Sequence, residues 1–301
     1  MKQGFITMIK HLITGGCSFS VGADDSTWVV GLANHLKEKN PNLTYEHTGY
    51  YSQGQDLIQK KVMLAITDAI EQGIDPKDML VAVMWSGTER RAWYIDNPNI
   101  IKKVVDGMPA FNGGMSRQFL DLKNKVSDNK STFKTFSGSE FDYSLDGGWY
   151  FTVNGSDCKL DFVQQYFMLD NFPGGVGKVH SSLENIIMLQ NFCKLNNIKL
   201  VQQFFMDLVY QDIEHRKNHQ ITNYLYKQLD FDTIIKDGMF DYLHPFIGVD
   251  RTKARSVTHE DRIKLDAGRL YFNKDGFHPG PIGRDIWCQE KLFPFIEKFG
   301  V

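Results

Sequence analysis

The sequence predicts an α/β fold with a mostly parallel central sheet flanked by helices, and three observations predict it. Short apolar runs alternate with segments of helical periodicity, the strand and helix succession of a doubly wound chain. The run at residues 79–85 is apolar throughout, as expected of a strand covered on both faces of a parallel sheet. The first such run ends at paired glycines, Gly15 and Gly16, which suits a buried strand stopping at a tight turn.

Residues 10–16 are the first strand, and a helix is expected after it. Asp24, Asp25 and Ser26 offer N-caps to that helix, in which Trp28, Val29, Leu32, Ala33 and Leu36 recur at helical spacing through Lys39. Residues 43–47 form a second strand, residues 48–55 its exit loop, and residues 57–70 a second helix carrying Leu57, Ile58, Val62, Leu64, Ala65 and Ile66. Residues 79–85 are the third strand.

Residues 92–178 break the rhythm with glycine pairs and many aromatics, and the polar stretch 123–134 reads as a solvated loop or exposed helix. The expected organisation is a single domain over residues 1–301 with an insertion or lid at 92–178. Ser181 and Glu184 have capping-box spacing ahead of Leu183, Ile186, Ile187 and Phe192, which resumes the helical pattern, and residues 198–205 make a fourth strand. Beyond Asp207 no periodicity is clear until residues 280–298, a final helix with Ile282, Ile286, Trp287, Leu292, Phe293 and Ile296 that Pro294 should kink or shorten.

Composition excludes several functions. The 301 residues are 42% hydrophobic and 23% charged, enough for a large core and against disorder. With 34 Lys and Arg against 36 Asp and Glu, no excess positive charge is available for a polyphosphate backbone, so no nucleic-acid partner is expected. Cys17, Cys158, Cys193 and Cys288 lack the spacing of a zinc site and are expected reduced and buried. No membrane span and no signal peptide are read, so the expected location is cytoplasmic. Only nine alanines, among many Phe, Asn, Ile and Lys, suit an AT-rich coding sequence; if that is viral, the protein would be virion-associated. Oligomeric state is not written in the sequence.

The chemistry sits at the two ends of the chain. Gly15-Gly16-Cys17-Ser18-Phe19-Ser20 lies where the first strand gives way to a helix, the sheet edge at which α/β folds bind ligands. Ser18 is placed there as a nucleophile, although capping the turn is the plainer role for Ser18 or Ser20 taken alone. Asp275-Gly276-Phe277-His278-Pro279 puts an acid and an imidazole three residues apart, so that the carboxylate fixes the tautomer and His278 takes the serine proton.

These blocks resemble the SGNH hydrolases, also called GDSL-type esterases and lipases. Gly16-Cys17-Ser18-Phe19 is similar to the family's Gly-Asp-Ser-Leu block, with Cys17 replacing the aspartate, and Gly49-Tyr50-Tyr51-Ser52-Gln53-Gly54 is similar to its second block. The resemblance implies a flavodoxin-like three-layer α/β/α sandwich with the insertion after the third strand. It further implies Ser18 as nucleophile, His278 as base, Asp275 as orienting acid, and the N–H groups of Ser18 and Gly54 as oxyanion donors, with no metal or organic cofactor.

The third block departs from the family, which has Gly-x-Asn-Asp where this chain reads Trp85-Ser86-Gly87-Thr88-Glu89-Arg90. Aligning Gly87 with the block glycine puts Glu89 at the asparagine position, where an ionised carboxylate cannot donate; Ser86, Thr88 or Arg90 would have to supply the donor. The expected activity is removal of short acyl groups, acetyl first, from a glycan or other small ester. Transfer of the acyl group to another acceptor is a variant of it. The alternative is a catalytically silent module that binds glycan or assembles into a particle.

Other motifs rank lower. Trp93, Tyr94, Trp149, Tyr150 and Phe151 suit a sugar or acyl pocket, but packing the insertion's own core is their plainer role. The Gly-x-Ser-x-Gly elbow fails at Ser20, and Gly174-Gly175-Val176-Gly177-Lys178 lacks the remaining residues of a phosphate loop, leaving a flexible turn. His215 and His219 lie four apart without the glutamate of a zinc-peptidase motif.

Overall fold

The computed structural model describes residues 8–20, 27–49, 53–88, 90–95, 132–134, 140–142, 149–153, 176–206, 218–243 and 278–300. Nine strands run through them in chain order: β1 His11–Gly15, β2 Thr44–His47, β3 Met79–Trp85, β4 Arg91–Ile95, β5 Thr132–Lys134, β6 Glu140–Asp142, β7 Trp149–Val153, β8 Lys199–Phe204 and β9 Ile234–Gly238. The helices are α1 Trp28–Lys39, α2 Gln55–Glu71, α3 Val176–Leu195, α4 Gln220–Tyr226, α5 Met239–Leu243, α6 Pro281–Trp287 and α7 Phe293–Glu297.

Five strands form one sheet in the order β2-β1-β3-β8-β9, and every pair in it is parallel. Counted along the chain, that is the 2-1-3-4-5 order of flavodoxin-like sheets. The central strands are buried along their length because helices cover both faces. Gly15 lies against α2, where an added Cβ would run into Val62. On the same face the Trp85 indole N–H donates to Gln202 Oε1 at 3.0 Å. On the opposite face the Trp287 indole N–H from α6 donates to Gln203 Oε1 at 2.8 Å. Two adjacent glutamines inside a buried strand are thus each given a tryptophan donor, one per layer.

The helices pair within their layers, α2 with α3 and α1 with α6. Gly31 of α1 leaves room for Cys288: a Cβ there would lie 2.9 Å from its Sγ. One buried cluster runs from Ile9 to Ile296, closing the two ends of the chain into one core. Cys17, Cys193 and Cys288 are buried and unbridged, and Cys158 lies outside the described residues. No described helix is long and apolar enough to cross a membrane.

Several boundaries differ from the sequence expectation, each for a physical reason. The N-cap of α1 is Thr27 rather than Asp24, Asp25 or Ser26, without a side-chain cap bond, because buried Trp28 already belongs to the first turn. Helix α2 begins at Gln55, two residues before the apolar pattern, with Gly54 as N-cap. The capping box at Ser181 is overturned: α3 starts at Val176, Ser182 and Val179 are both buried, and the expected flexible turn at Gly177-Lys178 is the helix's first turn.

Within the polar stretch 123–134, residues Thr132–Lys134 are a strand paired with β6 rather than loop or helix. The strand β9 and helices α4 and α5 lie in the region without periodicity. Only Ile234 and Ile235 of β9 are apolar before Lys236 and Asp237, as befits a sheet edge. The last helix is neither broken nor cut at Pro294. A π turn, Cys288–Leu292, precedes the proline and accommodates its missing N–H, so the helix resumes as α7.

Candidate active site

The sheet order reverses between β1 and β3, so the crevice beyond their carboxyl ends is where a doubly wound fold binds its ligand. Gly15 and Trp85 end these strands, and both Ser18 and Ser86 follow within three residues. The turn after β1 is a single 3₁₀ turn, Ser18–Ser20, closed by Ser20 N–H donating to Cys17 C=O at 2.8 Å. The Ser20 hydroxyl is buried and accepts from the Trp28 indole N–H at 3.0 Å, so Ser20 anchors the turn to α1. Ser18 is half-buried, whereas Cys17 is fully buried.

Gly16 cannot carry a side chain. A Cβ there would meet Ser20 Oγ and Cβ and stand 3.1 Å from the Met84 carbonyl of β3. Close approach of two backbones at the switch point therefore fixes this glycine, as the sequence pattern of a tight turn implies.

His278 comes to the same turn from the other end of the chain. Its ring packs on Phe19, the residue after Ser18, with centroids 4.9 Å apart and planes inclined by 46°. Phe19 in turn packs on Phe205 at 4.9 Å, just past β8, and the Arg90 guanidinium lies over Phe205 with Cζ at 5.7 Å from the ring centroid. Four chain segments thus converge on one aromatic core at the carboxyl edge of the sheet. Among the described residues no hydrogen bond joins Ser18 to His278; unliganded catalytic pairs often stand apart and tighten on substrate.

Gly54 and Ser86 meet through a residue that sequence reading passed over. The Gln55 side-chain amide donates to Ser86 C=O at 2.6 Å, pinning the start of α2 to the exit of β3. Ser86 is fully buried, and among the described residues its hydroxyl has no hydrogen-bond partner. A buried hydroxyl left unbonded costs free energy, so it points to a group that arrives later. Gly87 C=O accepts from Arg90 N–H at 3.2 Å and turns the chain back into β4. Arg90 Nε and Nη1 are likewise buried without hydrogen-bond partners among the described residues.

Beneath the Ser18 turn lies a buried polar layer, also missed in the sequence. Thr14 Oγ1 shares a hydrogen bond with His47 Nδ1 at 2.8 Å, and Thr48 N–H donates to Thr14 C=O at 2.8 Å. The Gln53 amide donates to Gly16 C=O at 3.0 Å and accepts from Lys61 Nζ at 2.7 Å, the orientation that satisfies both ends. Burial drives the basicity of both cations down, His47 to about 3 and Lys61 to about 7, with Glu46 working in the opposite sense on Lys61. Burial likewise pushes the Glu46 carboxyl up. The signal available in the sequence was a lysine among Ile58, Val62 and Ala65 on the inward face of a helix.

Asp275 and Glu89 lie outside the described residues, as does His215. His219 is the N-cap of α4, its ring 5.4 Å from that of His180. Of the insertion aromatics, Trp93 stands opposite Phe151 and Tyr94 opposite Tyr150 in the antiparallel β4–β7 register. No family model, curated protein or solved structure matches this chain.

Proposed function

We propose that the chain is a serine ester hydrolase of the SGNH type that removes short acyl groups, acetyl first, from a carbohydrate or other small ester. The observation that carries this reading is the packing of His278 on Phe19, beside Ser18, at the β1/β3 switch point. Ser18 Oγ attacks the acyl carbonyl while His278 takes its proton and then returns it to the departing alkoxide, leaving an acyl-serine. Water, deprotonated by His278, attacks that ester, and the acid leaves as Ser18 regains its proton. Asp275, three residues earlier in the chain, holds the imidazole in the working tautomer.

The oxyanion is held by the N–H groups of Ser18 and Gly54 and by the Ser86 hydroxyl. Ser86 takes the donor role that Glu89 cannot fill, and its buried, unbonded hydroxyl supports the assignment. Hydrolysis of p-nitrophenyl acetate by wild type and Ser18→Ala tests the reading: the variant should lose about three orders of magnitude or more.

A second reading, a catalytically silent module binding glycan or assembling into a particle, is favoured by the altered third block, where Glu89 stands at the family's asparagine position, and by the large insertion. A serine-reactive fluorophosphonate separates the two. Labelling of Ser18 supports the hydrolase, and failure to label together with no turnover supports the silent module.

A further inference from the structure

We propose that Gln53 and Lys61 are positioning residues, a buried relay from α2 that holds the Gly16 carbonyl and thereby fixes the turn carrying Ser18. The kinetic part rests on the hydrolase reading above; the structural part does not.

The relay is continuous from helix to turn. Lys61 Nζ donates to Gln53 Oε1 at 2.7 Å and Gln53 Nε2 donates to Gly16 C=O at 3.0 Å. Gln53 is fully buried and Lys61 is 5% exposed, so neither end is loosened by solvent. On its other side lies Gly49, where an added Cβ would meet the His47 ring and stand 3.2 Å from Gly16 N. Gly16 is therefore held at its carbonyl by a buried hydrogen bond, two residues before Ser18.

Packing alone does not explain this lysine. On a helix face shared with Ile58, Val62 and Ala65, a methionine or leucine fills the same volume without burying an amine. A primary amide takes an unambiguous orientation only when one end meets a donor and the other an acceptor. Lys61 is the donor that sets Gln53 so that its N–H₂ faces Gly16. In turn, a fixed Gly16 carbonyl fixes the plane of the Gly16–Cys17 peptide, from which the Ser18 turn departs. Among the described residues the charged and titratable neighbours are Glu46 and His47 of β2, both interacting electrostatically with Lys61.

The experiment uses the full chain and the variants Gln53→Glu and Lys61→Met. In Gln53→Glu the ionised carboxylate still accepts from Lys61 but has no N–H for Gly16, so fold stability and positioning separate. For this variant we expect the chain to stay folded with a few degrees' fall in melting temperature at most, the carboxylate's pairing with Lys61 offsetting the unbonded Gly16 carbonyl, while amide exchange across residues 15–20 speeds by about tenfold and kcat for p-nitrophenyl acetate falls by about tenfold at near-constant KM, the scale of one lost buried hydrogen bond. Lys61→Met, which keeps the packing volume, should show the same exchange and kcat changes and reads the relay from its other end if Gln53→Glu does not fold. Unchanged exchange across residues 15–20 in the folded variant overturns the proposal whatever the activity. Unchanged kcat overturns it where wild type turns over through Ser18. Faster exchange in a wild-type background without turnover supports the relay and removes the hydrolase reading instead.

Discussion

At the scale of single residues, Ser86 separates what the fold needs from what a site needs. Its hydroxyl is buried and has no hydrogen-bond partner among the described residues, so deleting it costs the folded state little or even relieves it. Ser86→Ala should therefore leave the urea midpoint unchanged or slightly raised while lowering kcat by about 10²–10³, the cost of one oxyanion donor. A parallel fall in both would sink the donor role. The residues at this scale were unequally legible. Ser18 and His278 stood out because a serine after a strand and an acid–imidazole turn are short motifs. Gln53 and Gln55 did not stand out, because long polar side chains around a helix start resemble solvated surface until the helix is seen to press its N-terminus into the switch point, whereas Lys61 was marked by its place among Ile58, Val62 and Ala65 and passed over. Asp275 and Glu89 stay as the sequence left them.

At the scale of elements, the contact of α1 with the π turn is a helix crossing with a single-residue cause. Alanine ordinarily stabilises an exposed helix interior by about 1 kcal/mol over glycine. At Gly31 the sign should reverse, since the new methyl would sit 2.9 Å from Cys288 Sγ, and overpacking costs roughly 1–3 kcal/mol. Chemical denaturation of Gly31→Ala, Cys288→Ala and the double variant checks this: the double variant should recover most of the loss, and additive effects would exclude the contact as cause. Elements with strong periodicity, β1, α1, α2, β3 and β8, were readable from the sequence. Two kinds of signal misled it. Ser181 has the spacing of a cap yet lies inside α3, where burial of Val179 and Ser182 outweighs local preference; β9, at the sheet edge, buries too few residues to leave a pattern.

At the scale of the whole molecule, the buried basic side chains make stability depend on pH, and for His47 the sign is definite. His47 is held at about 3 against an ordinary 6.5, so between those values the unfolded chain binds a proton that the native state refuses. Its contribution is fully present above 6.5 and is lost as pH falls toward 3, at roughly 1 kcal/mol per pH unit where the difference is complete. Glu46, whose carboxyl is raised, works in the opposite sense just above its ordinary value. The comparison of wild type with His47→Gln cancels that share: urea midpoints measured from about pH 6.5 to 4 should fall less steeply in the variant, and equal slopes would refute a neutral buried His47. The parallel sheet and its layers were legible from the alternation of runs, whereas the meeting of the chain's two ends rested on motif alone until the ring of His278 was found on Phe19.

The sheet also sets what this architecture tolerates. Because β3 and β8 lie side by side and parallel, with Leu80 beside Lys199 and Trp85 beside Phe204, the chain between them is a crossover that includes α3 and whose loops can vary in length. Lengthening such a loop is cheap, about 0.6 kcal/mol for each doubling. The length of chain between the two strands can thus change at small thermodynamic cost while the parallel pairing of β3 with β8 is kept.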